Sequence, residues 1–340
     1  MYPLDQGLWG PTVRISHLRW ELGRLVELDV VAGYRGTRRL ALARYAISGR
    51  LRGLDGIYVE SSSFLPAEAD VAFLGLARAL GVPVLTYVRD AYQVFPEEYP
   101  RTSLRRQLAA AAFRPAMRAL RTVSSRLAFP SSGLAEAVLG ADAGDAALLP
   151  PGSPPPVDVP RGAKANRLLF VGDARLPSQG GERLLAAVAM AREHSAEVEL
   201  TVVSRHGQEP PGPHPDWLRI ERAEGDAIHP LLGQVIASVI PRPIAAYNDL
   251  ALPVKLFDYL SYGRPLIVTD CREQARVVRE SGAGMVTGDT VDGLARSIEE
   301  VVSAPATRSA EWSANAAAAA RAASWSHRAS RIVELLADLR

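Results

Sequence analysis

The strongest constraint on the fold is an alternation that runs along almost the whole chain. Short apolar strands, expected at 56–60, 82–88, 126–129, 167–171, 197–203 and 234–240, are separated by helical patterns. Strands that are apolar throughout leave no face for water, so they imply parallel sheets covered by helices on both sides. In such sheets, ligands bind beyond the C-terminal ends of the strands. The first of those ends carry Glu60-Ser61-Ser62-Ser63 and Arg89-Asp90-Ala91-Tyr92.

One break interrupts the alternation. The stretch LLPPGSPPPVDVPRGAKANR holds six prolines and two glycines, the composition of an inter-domain linker. A chain of 340 residues is also long for a single core. The expected fold class is α/β, with two doubly wound Rossmann-like domains. The expected boundaries are an N-terminal domain over 1–155, a linker over 156–165, a C-terminal domain over 166–325, and a last helix over 326–340 packing back on the N-terminal domain. A doubly wound domain normally begins with a strand, whereas this chain begins with a loop, a helix and then a strand expected at 27–32. Either the domain starts with that loop, or the first strand is missing from the N-terminal domain. The second is preferred, because Tyr2-Pro3 reads as the end of a strand and its turn.

Residues 101–126 carry seven arginines and no acid. Leu104, Leu108 and Ala111 form one stripe and Phe113, Met117 and Leu120 another almost opposite, which predicts a bend or a break near Arg114-Pro115. A basic amphipathic surface of this kind suits peripheral contact with anionic lipid, although many such runs are solvated faces. Hydrophobic content of 48% and charged content of 22% describe an ordinary soluble globular chain. No apolar run reaches the roughly 18 residues of a membrane span, and no signal segment opens the chain. Cys271 is the only cysteine, which excludes an intramolecular disulfide. The expected location is cytoplasmic, peripheral to the inner membrane face. No nucleic-acid partner and no cofactor is expected.

The densest chemistry lies at 241–270, PRPIAAYNDLALPVKLFDYLSYGRPLIVTD. Pro253 suits a first helical position and Gly263 suits a left-handed end. Leu252 then falls at the cap with no side-chain oxygen, so the Val254 and Lys255 amides want an anion. Alternatively Asn248 or Asp249 folds back as the cap. Of 39 basic residues only Lys164 and Lys255 are lysine, so Lys255 marks a place suited to a compact charge.

The motifs LLFVGDARLPSQGGERLLAAV, PVKLFDYLSYGRPLIVTD and GMVTGDTVDGLARSIEEVV resemble the donor-binding domain of bacterial, retaining GT-B glycosyltransferases, especially glycosyltransferase family 4. GVPVLTYVRDAYQ and LAFPSSGLAEAV are similar more loosely to the acceptor-side domain. The resemblance implies transfer of a sugar from a nucleotide-diphosphate sugar to an acceptor, without metal. It puts Asp258 on the ribose hydroxyls and Gly172 in the loop after the first C-terminal strand. Three places depart from the family. Its first acidic position falls on Leu250, with Asp249 next to it as a substitute. Its two diphosphate-gripping cations fall on Asp173 and Gln179. Arg175, Arg205, Arg242 and Lys255 are candidate replacements. The expected site is therefore Asp249 and Asp90 as catalytic residues, with Asp258, Lys255, Val254, Arg242, Gly172 and Arg205 holding the donor. Two other readings keep the fold: an inactive partner or sugar-nucleotide-binding subunit, favoured by those departures, and a sugar-nucleotide epimerase, whose histidines do not cluster here.

Overall fold

The computed structural model describes residues 10–61, 68–97, 100–162, 165–194 and 197–340. They divide into two compact units, residues 1–152 with 325–340 and residues 153–324. The first begins with helices α1 (Gly10–Leu25) and α2 (Arg35–Ile47). It continues through β1 (Ile57–Glu60), α3 (Glu68–Ala79), β2 (Val84–Tyr87), α4 (Leu104–Val123), β3 (Arg126–Phe129), α5 (Ser132–Leu139) and β4 (Ala147–Leu148). The four strands form a parallel sheet in the order β1-β2-β3-β4. Ser103 and Ser131 cap α4 and α5, each hydroxyl accepting from an amide three residues on.

Residues 27–32, read as a strand, join neither sheet, and only Ala32 makes a bridge. Leu28 and Val30 are both exposed, so the alternation in sequence does not become a buried face, and a strand also needs a neighbour to complete its ladder. Between this segment and the edge strand β1 lies an apolar groove of about 770 Å³. Leu18 and Leu22 of α1, Val30, Ile57 and Phe73 line it. The chain does not break near Arg114-Pro115, since α4 is one helix with Pro115 inside it. The opposite stripes have another cause: Phe113, Met117 and Leu120 are buried, whereas Leu104 and Leu108 are exposed.

The second unit contains β5 (Arg167–Val171), α6 (Gly181–Glu193), β6 (Glu199–Val203), β7 (Leu218–Glu221) and β8 (Val235–Ile240). It goes on through α7 (Ala246–Leu250), α8 (Val254–Ser261), β9 (Leu266–Thr269), α9 (Arg272–Ser281), β10 (Gly284–Thr287), α10 (Val291–Ser303) and α11 (Ala306–Ala322). Its six strands are parallel in the order β10-β9-β8-β5-β6-β7. Counted from the first strand of the unit, that is the doubly wound order 3-2-1-4-5-6. The direction of winding reverses between β5 and β8, so the ligand crevice belongs outside their C-terminal ends. All six residues of β8 are buried, as a central strand covered on both faces requires.

The proline-rich segment packs on this unit. Val157 donates its amide to Ser261 O (2.7 Å), Gly162 to Gly233 O (2.7 Å), and Arg264 Nη2 donates to Val159 O (2.7 Å). The chain then returns to the first unit as α12 (Trp325–Ala337), whose Ile332 and Leu335 are buried and which packs against α1.

Candidate functional site

The crevice at the winding reversal is built by two loops pressed together. After β5 the chain passes through Gly172 and a short turn at Pro177–Gln179 to Gly180, where α6 begins. After β8 it passes through Pro241 and Arg242 to α7 and α8. Gly180 has φ +73°, and a Cβ there would stand 1.8 Å from the Pro241 carbonyl oxygen. Only glycine permits both the left-handed turn and that approach. Tyr259 of α8 braces the first loop, its hydroxyl accepting from the Val171 amide at 2.6 Å.

Pro253 is the cap residue of α8 (φ −71°, ψ 136°), and the helix starts at Val254. The sequence placed that start one residue early, because proline's φ suits both positions and only ψ separates them. The consequence for binding is unchanged, since no side chain caps α8 and its first amides are open to an anion. Neither Asn248 nor Asp249 folds back onto it. Both lie on α7, a helix in what was read as loop. Asn248 accepts from Arg242 Nη2, and Asp249 Oδ1 accepts from the Arg272 amide (3.2 Å) at the start of α9.

Lys255 reaches back to the first loop. Its Nζ donates to Gln179 Oε1 at 2.9 Å and to Val171 O at 3.3 Å, and it lies 4.9 Å from the centre of the Phe170 ring. A Cβ on Gly172 would collide with Gln179 Oε1 at 2.3 Å and come within 3.3 Å of Lys255 Nζ. The ammonium thus lies directly beside Gln179, between the loops after β5 and β8. Burial, with the positive charge of Arg242 adding to it, pushes the Lys255 pKa down to about 7. Arg242 is 9% exposed and also donates to Ala251 O, so it stiffens the loop and sets the local potential.

Asp258, one turn after Lys255, is half-buried on α8. Burial raises its pKa to about 7. The two groups load the free protein in opposite senses. The Lys255 penalty is full below about pH 7 and fades as pH rises toward the ordinary value of 10.5. The Asp258 penalty is absent below 3.8 and full above about 7. Asp258→Asn is therefore expected to raise the melting temperature by about 3 °C near pH 8 and to leave it unchanged near pH 4. A rise of the same size at both pH values, measured by differential scanning fluorimetry, would contradict the assignment.

The other flagged cations are occupied elsewhere. Arg205 pairs with Glu224 (2.8 Å), and Arg175 donates to Gly207 O (3.2 Å). Asp173 accepts from the Arg175 amide at 3.0 Å, making a local turn. Sequence reasoning missed Tyr259 as a brace and Asp289, whose carboxylate accepts from the Ile244 amide at 2.9 Å. Among the described residues no group of three or more His, Cys, Asp or Glu could hold a metal ion.

In the first unit the strand ends also carry a polar cluster. Arg14, fully buried, donates to Glu60 Oε1 at 2.9 Å and to the Tyr58 hydroxyl at 3.1 Å, and stacks over Tyr87 at 3.7 Å. Burial opposes its charge, but Glu60 and the two tyrosines outweigh that and hold the guanidinium protonated. Among the described residues Glu60 Oε2 has no hydrogen-bond partner. Asp90 pairs with Arg89 at 3.0 Å. Ser62 and Ser63 of the first strand end, Tyr2-Pro3 and Lys164 lie outside the described residues.

No curated protein matches the chain. Among solved structures it is similar to Anabaena HepE in complex with UDP-glucose, at 14% identity and a TM-score of 0.66, with 99% of each chain covered. It is similar to a UDP-forming α,α-trehalose-phosphate synthase from Burkholderia xenovorans in complex with glucose-6-phosphate, at 12% identity and a TM-score of 0.59, covering 95% of this chain and 82% of that one. It is also similar to a sucrose-phosphate synthase from Thermosynechococcus elongatus, at 14% identity and a TM-score of 0.61, covering 90% and 80%. At such identities the likeness establishes the architecture, two parallel α/β sheets of the GT-B kind. Residues 165–304, which hold the crevice between β5 and β8, match the family model described as Glycosyl transferases group 1, and that match supports glycosyltransferase activity.

Proposed function

We propose that the chain is a retaining glycosyltransferase resembling family 4, which draws its sugar from a nucleotide-diphosphate donor held on residues 153–324. The observation that carries this reading is the contact between Lys255 and Gln179 in the crevice at the winding reversal. It restores a cation where the family's own has been replaced. In this reading the diphosphate lies against Lys255 and the open amides of α8, with the Val254 amide among its donors. Gly172 lets the diphosphate approach the backbone, and Asp258 accepts from the ribose hydroxyls. As the bond to the sugar breaks, negative charge grows on the departing diphosphate, where these fixed donors act most strongly. Uridine is the proposed base, by analogy with the UDP-containing relatives. The acceptor is assigned to the strand ends of the first unit, around Glu60 and Asp90.

A second reading, binding without turnover, is favoured by one observation. Asp249, the substitute for the lost acidic residue, is engaged by the Arg272 amide.

A thermal-shift panel of UDP, GDP, ADP, TDP and their sugars tests the donor site. A ligand at about a hundred times its dissociation constant adds about 2.7 kcal/mol, a shift of several degrees. UDP and a UDP-sugar are expected to give it, and a panel without any shift would refute the donor site. Slow hydrolysis of the bound UDP-sugar then supports transfer, whereas stable binding without hydrolysis supports the second reading.

A further inference from the structure

The helix α4 presents a surface that the described residues of its own unit leave uncovered. It has five arginines, at 105, 106, 114, 118 and 121, and no acid. Its buried face is Phe113, Met117 and Leu120. At 3.6 residues per turn, the side chains opposite that face are Leu104, Leu108, Ala111 and Pro115. Leu104 is 71% exposed and Leu108 is 61% exposed. A solvated helix face would carry its charges outermost, whereas here the outermost ridge is apolar and the charges flank it. Arg105 lies on one side, and Arg114 and Arg118 on the other, all exposed. None of these three has a hydrogen bond or ion pair among the described residues, whereas Arg121 pairs with Asp142.

We propose that α4 lies along an anionic lipid surface, with Leu104 and Leu108 entering the acyl boundary and Arg105, Arg114 and Arg118 meeting the headgroup phosphates. Cations on both flanks of an apolar ridge complement a flat sheet of anions. A protein groove is the poorer match, because the second half of the ridge is alanine and proline and offers little to grip. No helix among the described residues is long and apolar enough to cross a membrane, so contact along the surface is the available mode. The leucines sit in the first turns of α4, just after β2 and the turn Tyr92–Val94, on the side of the sheet where parallel strands present ligands. This inference goes beyond the transfer reading and does not rest on it.

Co-sedimentation of the full chain with phosphatidylcholine vesicles, with and without phosphatidylglycerol, tests it. The protein is expected to bind the anionic vesicles and not the neutral ones, less tightly as salt rises. Leu104→Gln with Leu108→Gln should lower the partition coefficient by about tenfold or more, and so should Arg105→Gln with Arg114→Gln and Arg118→Gln. Ile47→Gln, an exposed residue at the end of α2, should change nothing. All three variants should keep the wild-type melting temperature and nucleotide response, which separates this test from that of the donor site. Three results would each overturn the proposal: no binding to anionic vesicles at low salt, equal binding to neutral ones, or anionic binding indifferent to the leucine pair.

Discussion

Lys255→Met is expected to weaken binding of a nucleoside diphosphate by about 30-fold or more, with little change in the melting temperature of the free protein. The two halves of this expectation have separate causes. A desolvated ammonium against a diphosphate makes charge-assisted bonds that the open amides of α8 cannot replace alone. In the free protein the same burial disfavours the charge, which is why the Lys255 pKa sits at about 7. Removing it relieves that cost while leaving Gln179 Oε1 without its donor, and the two changes oppose each other. Isothermal titration with UDP and a melting curve without ligand check both. A fall of many degrees in the free protein would make Lys255 a structural residue, and unchanged UDP affinity would remove it from the donor site. Lys255→Arg should recover only part of the binding, because the longer planar fork does not fit beside Gln179.

Gly180→Ala should destabilise the protein by about 3 kcal/mol or more and abolish nucleotide binding. A Cβ at this position meets backbone, 1.8 Å from Pro241 O and 2.8 Å from its carbon, so no rotamer change relieves it. The loops after β5 and β8 must separate, and Lys255 loses its place between them. Gly207→Ala is the matching control. Its φ is +80°, close to that of Gly180, but a Cβ there meets nothing within 4 Å. That variant should cost only the left-handed strain, about 1 kcal/mol. The difference between the two urea midpoints isolates the loop contact, and equal midpoints would show that the contact has no weight.

Much of the second unit was legible because its strands are apolar on both faces and its helices are bounded by Gly180, Gly263 and Gly282. The first unit was less so. Leu28 and Val30 alternate as strand residues do, but period alone carries no information about whether a neighbour stands ready to pair. At the site, the residue types were readable and the partners were not. Lys255 and Gln179 lie 76 positions apart, and Tyr259 and Val171 lie 88 apart. Their contacts follow from the winding order of the sheet, which no local pattern encodes. Asp249 shows the same gap in reverse: chosen for its nearness to Leu250 in sequence, it is drawn by the start of α9.

The return of the chain as α12 has a consequence for synthesis on the ribosome. The first unit is not finished when its first 152 residues have emerged, because α12, at 325–337, supplies one of its walls. Residues 153–324 come in between, and at about 5 to 20 residues per second they take roughly 9 to 34 seconds to appear. During that time Ile15, Leu18 and Leu22 of α1 and the edge of β1 wait without their cover, while the second unit can close completely. The order of folding is then inverted with respect to the order of translation. For this chain the vulnerable interval belongs to the first unit, and a chaperone that holds it must do so until α12 has emerged.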